Sequence, residues 1–115
     1  MISHEDFSKF DIRIGTILSA ERVLETDKLI KLSVDIGEEK PRQIVAGIVE
    51  YVSSPEELIG IQVPLVSNME PRTIKGVESR GMILAGSTEL DHKAGENSFS
   101  LLIPQKKIPN GAKVR

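Results

Sequence analysis

The chain has 115 residues, a length that suits one compact domain and is short for two of ordinary size. With 39% apolar residues it can bury a core, and because it lacks cysteine it can form neither disulfide bonds nor thiolate metal sites. Its net charge of −2 argues against a protein that coats nucleic acid indiscriminately.

Alternation of polar and apolar residues predicts the first strands in chain order, over 11–17 and 29–36. A turn then leads to a third strand over 43–48, so we expect an antiparallel meander. Ser54 and Pro55 are typical of a helix start, and Gly60 can end that helix after one or two turns. Apolar runs predict the remaining strands, over 61–66, 82–85 and 99–103.

The order of these elements predicts the fold class. A strand-rich chain with one short helix between the third and fourth strands is typical of an all-β, five-stranded OB-fold barrel. Another small barrel is the alternative. No apolar run approaches the roughly 20 residues that cross a bilayer, and the polar, acidic N-terminus is unlike a signal peptide. We therefore expect one soluble, cytoplasmic domain over residues 1–115, with no membrane partner.

The sequence shows no recognisable catalytic or metal-binding motif. Its two histidines, His4 and His92, lie in polar segments beside acids. Neighbours on an extended chain point in opposite directions, which disfavours a metal site at Glu5 and Asp6 with the first histidine or at Asp91 with the second. We therefore expect no enzyme, no cofactor and no metal.

Aromatic residues are scarce: there is no tryptophan, one tyrosine and three phenylalanines. We predict that Phe7 and Phe10, which flank the first strand, and Phe99 lie in the core. OB folds that hold single strands usually stack bases on exposed aromatic rings. Nucleic acid would therefore be bound here through phosphates and shape, which is how folded RNA is recognised.

Positive charge is concentrated in two segments. Residues 71–87 carry +2 and residues 104–115 carry +4, so the rest of the chain carries −8. In the first segment, a long loop can hold Arg72, Lys75 and Arg80 toward one phosphate track. The alternative is a solvated hairpin loop whose glycines only permit a turn, and composition does not separate the two.

A series of short motifs runs through nearly the whole chain: Asp6-Phe7, Asp11-Ile12-Arg13-Ile14-Gly15, Ala20-Glu21, Asp27-Lys28-Leu29, Val34-Asp35-Ile36-Gly37, Gln43-Ile44-Val45-Ala46-Gly47-Ile48, Pro55-Glu56-Glu57-Leu58, Asn68-Met69-Glu70-Pro71-Arg72 and Gly76-Val77-Glu78-Ser79-Arg80-Gly81-Met82-Ile83-Leu84-Ala85. In this order and spacing they resemble the tRNA-binding domain found at the C-terminus of many methionyl-tRNA synthetases. The same domain occurs in stand-alone tRNA-binding proteins and in the chaperone-like CsaA proteins.

The resemblance implies an OB-fold domain that binds the outer corner of tRNA by shape, and a homodimer whose contact includes residues 101–115. It also implies RNA-binding residues on the loops and strand ends: Arg42, Asn68, Arg72, Lys75, Ser79 and Met82, with Lys31 as a weaker candidate. Arg80 stands where many members have Glu or Gln, and we include it as a phosphate contact. Leu24, Glu25 and Thr26 stand where the family often has His-Pro, so that loop is left out of the predicted site.

These residues lead to two hypotheses about function. The first is non-catalytic, structure-specific tRNA binding that assists a methionyl-tRNA synthetase catalytic chain, either as a separate beta subunit or as a domain excised from the enzyme. Met1 lies close before the opening Asp-Phe motif, which favours a separate chain. The second is a CsaA-like chaperone or export-related protein that binds unfolded peptides in an apolar groove between subunits.

Overall fold

The computed structural model describes residues 1–88 and 99–115. Within these residues the chain forms one short helix, two 3₁₀ turns and nine strands. The helix is α1 (His4–Phe7), and the 3₁₀ turns are Val49–Tyr51 and Pro55–Leu58. The strands are β1 (Ile12–Arg22), β2 (Ile30–Asp35), β3 (Arg42–Ala46), β4 (Gln62–Val66), β5 (Arg72–Ile74), β6 (Val77–Ser79), β7 (Met82–Ile83), β8 (Ala85–Ser87) and β9 (Phe99–Leu101).

Five of the strands form one antiparallel sheet in the order β3-β2-β1-β4-β7, and this sheet nearly closes on itself. At the closure the Arg80 N–H donates to the Gln43 carbonyl of β3 at 2.8 Å. The alternating side chains that point inward form the core: Ile17, Ile30, Leu32, Val34, Ile44, Val63 and Leu65 are all almost fully buried. The predicted OB-fold barrel and the meander of its first three strands are confirmed.

β1 extends to Arg22, five residues beyond the predicted end of the first strand. Its pairing with β2 shifts register between Ile17 and Ser19, and Leu18 at this bulge is exposed. A bulge inserts one residue and reverses the face on which later side chains lie, so the period of two is interrupted there. The alternation that predicts the first half of the strand therefore does not reach its second half.

The predicted helix near Ser54 is one 3₁₀ turn, Pro55–Leu58, and a second such turn precedes it at Val49–Tyr51. Ser54 does not cap this turn, because its hydroxyl donates to the Glu56 carboxylate instead. Pro55 and Leu58 are buried against the barrel, so packing holds the short turn in place. In the part of the chain that the structure describes, no helix has the length and apolar character to cross a membrane.

The prediction that Phe7 and Phe10 lie in the core is wrong. Their side chains are 38% and 49% exposed, and their rings contact each other with centroids 6.3 Å apart. They lie on and just after α1, which buries none of its residues, and the barrel interior is already filled by aliphatic side chains. Phe99 does pack on the core, where it stacks on Tyr51 with ring centroids 4.3 Å apart.

The C-terminal segment lies along the first half of β1, where β2 does not pair with it. Ile14 exchanges backbone hydrogen bonds with this segment, donating to Ala112 at 2.9 Å and accepting from Gly111 at 2.7 Å. The side chain of Gln62 donates to the Ile108 carbonyl at 2.7 Å and accepts from the Ile108 N–H at 3.1 Å. Part of the predicted extension is thus bound to the barrel of its own chain.

Candidate nucleic-acid interface

The basic loop predicted between the fourth and fifth strands contains a two-stranded hairpin, β5–β6. Arg72 pairs with Ser79 at its base, and Ile74 pairs with Val77 beside a two-residue turn. The turn residues, Lys75 and Gly76, have φ angles of +52° and +82°. Positive φ at both central residues is typical of a type I′ turn, whose twist matches that of the flanking strands.

Ser79 attaches the hairpin to the barrel. Its hydroxyl accepts a hydrogen bond from the Val45 N–H of β3 at 2.9 Å and donates to the Gly81 carbonyl at 3.1 Å. The side chain of Gln43 adds a third contact by donating to the Glu78 carbonyl at 2.8 Å. Ser79, predicted as an RNA contact, is only 5% exposed and already has both hydroxyl functions occupied. Both of these hydroxyl bonds are to backbone groups of the domain itself.

Arg42 lies at the start of β3, where it joins three loops. Its guanidinium makes a two-pronged ion pair with Glu38, with both N–O distances 2.8 Å. It also donates to the carbonyls of Ser67 and, at 3.1 Å, Arg80. The hydrogen bonds from Arg42 are the main reason that the pKa of Glu38 lies below its ordinary value, and the same bonds raise the pKa of Arg42.

The polar side-chain atoms of Asn68 also form hydrogen bonds within the domain. Asn68 lies just after β4, the strand that precedes the hairpin. Its side-chain carbonyl accepts from the Asp11 N–H at 2.9 Å, and its amide donates to the Lys9 carbonyl at 2.7 Å. These bonds tie the N-terminal segment to the end of β4. Asn68 therefore holds backbone in place, although it is exposed.

The other predicted RNA contacts have exposed side chains. Arg72 and Lys75 form no ion pair or side-chain hydrogen bond with the residues that the structure describes. The guanidinium of Arg80 is 3.8 Å from the Glu78 carboxylate, with more than half of each side chain exposed. Met82 is 45% exposed on β7, although an apolar residue that opens a strand is often buried. Lys31, the weaker candidate, forms an ion pair with Glu21 at 2.7 Å.

Three depressions, which adjoin the hairpin, gather most of these side chains. A crevice of about 50 Å³ is lined by Arg72, Ser79 and Met82 together with Met69. A larger depression of about 450 Å³ is lined by Arg42 and Arg80, again with Met69. A third, of about 360 Å³, has Lys75 in its wall. Asn68 and Lys31 line none of the three.

Two residues in these walls are absent from the predicted site. Met69 is 39% exposed and lines both of the first two depressions, and Lys40 lines the second. Met69 lies inside a motif that carries the family resemblance, which was a usable signal. Lys40 lies in the turn between the second and third strands, and its charge belongs to the segment counted as acidic. Because Lys40 is far from the hairpin in the sequence, the sequence alone does not indicate that it lines the same depression as Arg80.

Carboxylates moderate the positive charge beside the hairpin. Asp11 forms an ion pair with Arg13 at 2.6 Å, and the hydrogen bond from Arg13 is the main reason that the pKa of Asp11 is lowered. Glu38 likewise forms an ion pair with Arg42, at 2.8 Å. Arg72 and Lys75 are therefore the cations of the hairpin that form no ion pair within the described residues.

The geometry offers no metal centre within residues 1–88 and 99–115, because no three histidine, aspartate or glutamate side chains cluster there. The set of His4, Glu5 and Asp6, which the sequence pattern disfavours as a metal site, lies in that range and forms no such cluster. The alternative at Asp91 and His92 lies outside the described residues. What the surface can do is contact phosphate through the hairpin cations and contact an apolar group through Met69 and Met82.

Comparison with known proteins identifies this arrangement. A family model described as "Putative tRNA binding domain" matches residues 12–113. The chain belongs to the tRNA-binding domain family. The domain is 44% identical to a methionine–tRNA ligase of Methanosarcina mazei over 115 residues, which cover 100% of this chain and 15% of that enzyme. It thus spans only a small part of the curated relatives that it matches.

Solved structures similar to this tRNA-binding domain match it from end to end. The MetRS-related protein from Pyrococcus horikoshii superposes with a TM-score of 0.87 at 35% identity, covering 100% of this chain and 98% of the other. The chaperone CsaA from Bacillus anthracis superposes with a TM-score of 0.82 at 36% identity, covering 100% and 99%. The resemblance predicted from the motifs is confirmed.

Proposed function

We propose that this domain binds folded tRNA by shape and phosphate contact, without catalysing a reaction. The observation that carries the proposal is a tRNA-binding family domain whose hairpin presents Arg72 and Lys75 without an ion-pair partner in the described structure. Unpaired cations on a rigid hairpin suit the phosphate backbone, which supplies most of the affinity in such complexes. The exposed aromatic rings, Phe7 and Phe10, line none of the three depressions, so the described surface beside the hairpin offers no ring on which bases of a single strand could stack.

In this proposal the predicted site residues divide into two groups. Arg72, Lys75 and Arg80 contact phosphates, and Met82 contacts an apolar face of the RNA. Arg42, Asn68 and Ser79 act through these residues by fixing the loops that hold them: each uses its polar atoms on backbone or carboxylate partners inside the domain.

The domain would serve a methionyl-tRNA synthetase. Relatives that are methionine–tRNA ligases carry a region 44% identical to it over its whole length. We propose that it holds tRNA for a methionyl-tRNA synthetase catalytic chain in the cytoplasm, in trans as a beta subunit or as part of a longer enzyme. Adding the domain to a catalytic chain that lacks this region should lower the KM for tRNA and leave the KM for methionine unchanged.

The test of tRNA binding is a titration of labelled, unfractionated tRNA at several salt concentrations, beside a single-stranded RNA of equal length. Folded tRNA should bind more tightly, and log K should fall linearly with log salt because phosphate contacts release counterions. Reversing Arg72→Glu with Lys75→Glu should weaken tRNA binding by at least about tenfold and reduce the salt slope by about two.

The matched control reverses Lys9→Glu with Arg22→Glu, two exposed cations that line none of the three depressions. It changes the net charge by the same amount, so a general loss of attraction would affect both variants alike. Equal affinity of the hairpin variant and the control would refute the assignment of the hairpin as the RNA-binding surface.

A second candidate function is supported by the likeness to the chaperone CsaA. The exposed apolar side chains of Met69, Met82, Leu102 and Ile103 could contact an unfolded peptide. Suppression of aggregation of a denatured test protein at equimolar ratio, without affinity for tRNA, would decide for this function. Preference for folded tRNA with a clear salt slope would decide against it.

A further inference from the structure

The third depression lies between the hairpin and the loop that joins β1 to β2. One wall consists of residues 25–29 of that loop, and the other consists of Ile74 and Lys75. Its volume of about 360 Å³ falls within the range of about 300–1,000 Å³ that is typical of small-ligand pockets. We call it the β1–β2 loop pocket. None of the loop residues belongs to the site predicted from the sequence.

The loop wall of this pocket is held in a defined conformation. Thr26 donates to the Val23 carbonyl with both its N–H, at 3.3 Å, and its hydroxyl, at 2.8 Å. The Val23 N–H donates to the Leu29 carbonyl at 3.0 Å, and the Val49 N–H donates to the Lys28 carbonyl at 3.1 Å. The loop is thus closed on itself and tied to the barrel, so the pocket is present before a ligand arrives.

Backbone strain coincides with both walls. In residues 1–88 and 99–115, Glu25 and Lys75 are the non-glycine residues with positive φ, at +64° and +52°. This conformation is unfavourable for an ordinary L-residue. Such residues cluster at ligand sites, where the strained geometry is kept for its function. Here one strained residue stands in each wall of one pocket.

The chemistry of the walls is mixed in a particular way. Lys28 and Lys75 are cations, Leu29 and Ile74 are half-buried apolar residues, and two exposed carboxylates complete the lining, at Glu25 and Asp27. Carboxylates repel phosphate, so a surface that only followed the RNA backbone would be weakened by them. Carboxylates instead accept hydrogen bonds, and the N–H groups of an unpaired nucleobase supply them.

We propose that the β1–β2 loop pocket receives one unpaired, amino-bearing base of the bound tRNA, with guanine preferred. The base plane lies against Leu29 and Ile74, its N–H groups donate to Glu25 and Asp27, and its phosphates meet Lys28 and Lys75. Guanine is preferred because its adjacent N1–H and N2–H donors match the two oxygens of one carboxylate, whereas uracil has a single such donor. This inference rests on the proposed tRNA binding and adds a base-reading contact to recognition by shape.

The decisive test asks whether removing the negative charges of the pocket strengthens or weakens tRNA binding. Glu25→Gln with Asp27→Asn makes the domain less negative, which by attraction alone should strengthen binding to a polyanion. If the carboxylates accept hydrogen bonds from a base, tRNA binding should instead weaken, by about tenfold, since hydrogen bonds to charged groups are lost. The salt slope should not become shallower, because no phosphate contact is removed.

The matched control is Glu5→Gln with Glu50→Gln, two exposed acids that line none of the three depressions. It removes the same charge and should leave tRNA affinity unchanged or slightly raised. If the pocket variant binds tRNA as tightly as the wild type, or more tightly, the inference is overturned.

A second measurement separates this inference from the proposed function. Guanosine 5′-monophosphate should shift the backbone amide resonances of Thr26, Leu29 and Ile74 more than uridine 5′-monophosphate does. This measurement needs no tRNA, so it tests the pocket even if the tRNA titration fails. A wild-type domain that shows no preference for folded tRNA would refute the proposed function alone. Equal or absent shifts with the two nucleotides would refute guanine preference in the pocket.

Discussion

Lys75 stands at a backbone position that asparagine or glycine usually takes. With φ at +52° it opens a type I′ turn, whose first central residue is most often asparagine. We expect Lys75→Asn to raise the free energy of unfolding by about 0.5–1 kcal/mol, because asparagine tolerates positive φ better. The same change should weaken tRNA binding, since a cation is lost. Urea unfolding and the tRNA titration measure the two effects.

Opposite signs of these two effects would show that the lysine is retained for binding at the expense of stability. Lys75→Arg is the control: it keeps the charge and the strain, so it should change neither quantity much. A destabilised Lys75→Asn variant would contradict the assignment of the turn type.

Ser79 gives a prediction of a different kind, because its hydroxyl satisfies the N–H of Val45 inside the barrel. Ser79→Ala should destabilise the domain by about 1–3 kcal/mol, the cost of a buried donor left without a partner. tRNA affinity should fall as well, because the hairpin that carries Arg72 and Lys75 loses a bond to the barrel. A loss of tRNA affinity without loss of stability would identify Ser79 as a direct contact instead.

Glu38 makes stability depend on pH through its pair with Arg42. Because the folded-state pKa of Glu38 is lowered, its contribution is complete above the unfolded value of about 4.3 and is lost as the pH falls through the lower folded value. The carboxylate is nearly half exposed, so we expect a contribution of at most about 1 kcal/mol.

Urea unfolding at pH 7, 4.5 and 3 measures this dependence. Glu38→Gln should be less stable than the wild type at pH 7 and should lose less stability between pH 7 and pH 3. If the free energy of unfolding changed equally with pH in the two proteins, the ion pair between Glu38 and Arg42 would be contradicted.

At the scale of elements, the C-terminal segment depends on one side chain of β4. Gln62 is 8% exposed and hydrogen-bonds Ile108 in both directions and Asn110 at 3.0 Å. Gln62→Ala should lower the free energy of unfolding by about 1–3 kcal/mol and release this segment from the barrel. Trypsin should then cleave faster after Lys106 and Lys107, as followed by mass spectrometry.

The control for this prediction is Gln105→Ala, since Gln105 is an exposed glutamine in the same segment. Its cleavage rate and stability should equal those of the wild type. Unchanged cleavage in Gln62→Ala would mean that the backbone bonds from Ile14 hold the segment without the side chain.

Elements were predictable from the sequence where their pattern is local. The alternation over 29–36 predicts β2 nearly to the residue, and the meander follows from it. The hairpin β5–β6 was not predicted, because each of its strands has only three residues, too few to show a period. The second half of β1 was not predicted, because the bulge at Leu18 interrupts the alternation of polar and apolar residues.

At the scale of the whole molecule, we propose a homodimer formed through residues 101–115. Leu102 and Ile103 are 47% and 65% exposed, directly after β9. Leu102→Ser with Ile103→Ser should give monomers in sedimentation velocity at micromolar concentration. tRNA affinity should fall by about tenfold or more, because two joined sites on one ligand bind more tightly than either alone.

Ile2→Ser is the control, since Ile2 is 70% exposed and does not line the depression that contains Ile103. It should leave both mass and affinity unchanged. A wild-type domain that sediments as a monomer would remove the dimer proposal and leave the hairpin as a single binding surface.

The sequence by itself determined the class of the fold, the family and the charged segments, because these follow from local alternation, from motifs and from composition. Only the tertiary structure decided which polar residues of the candidate site are free to meet a ligand. Asn68 and Asp11 are 57 positions apart, and Ser79 and Val45 are 34 apart. Closing the barrel brings each pair together and occupies the side chain, whereas Arg72 and Lys75 are exposed on the hairpin. Long-range pairing of this kind leaves no periodic trace in the sequence.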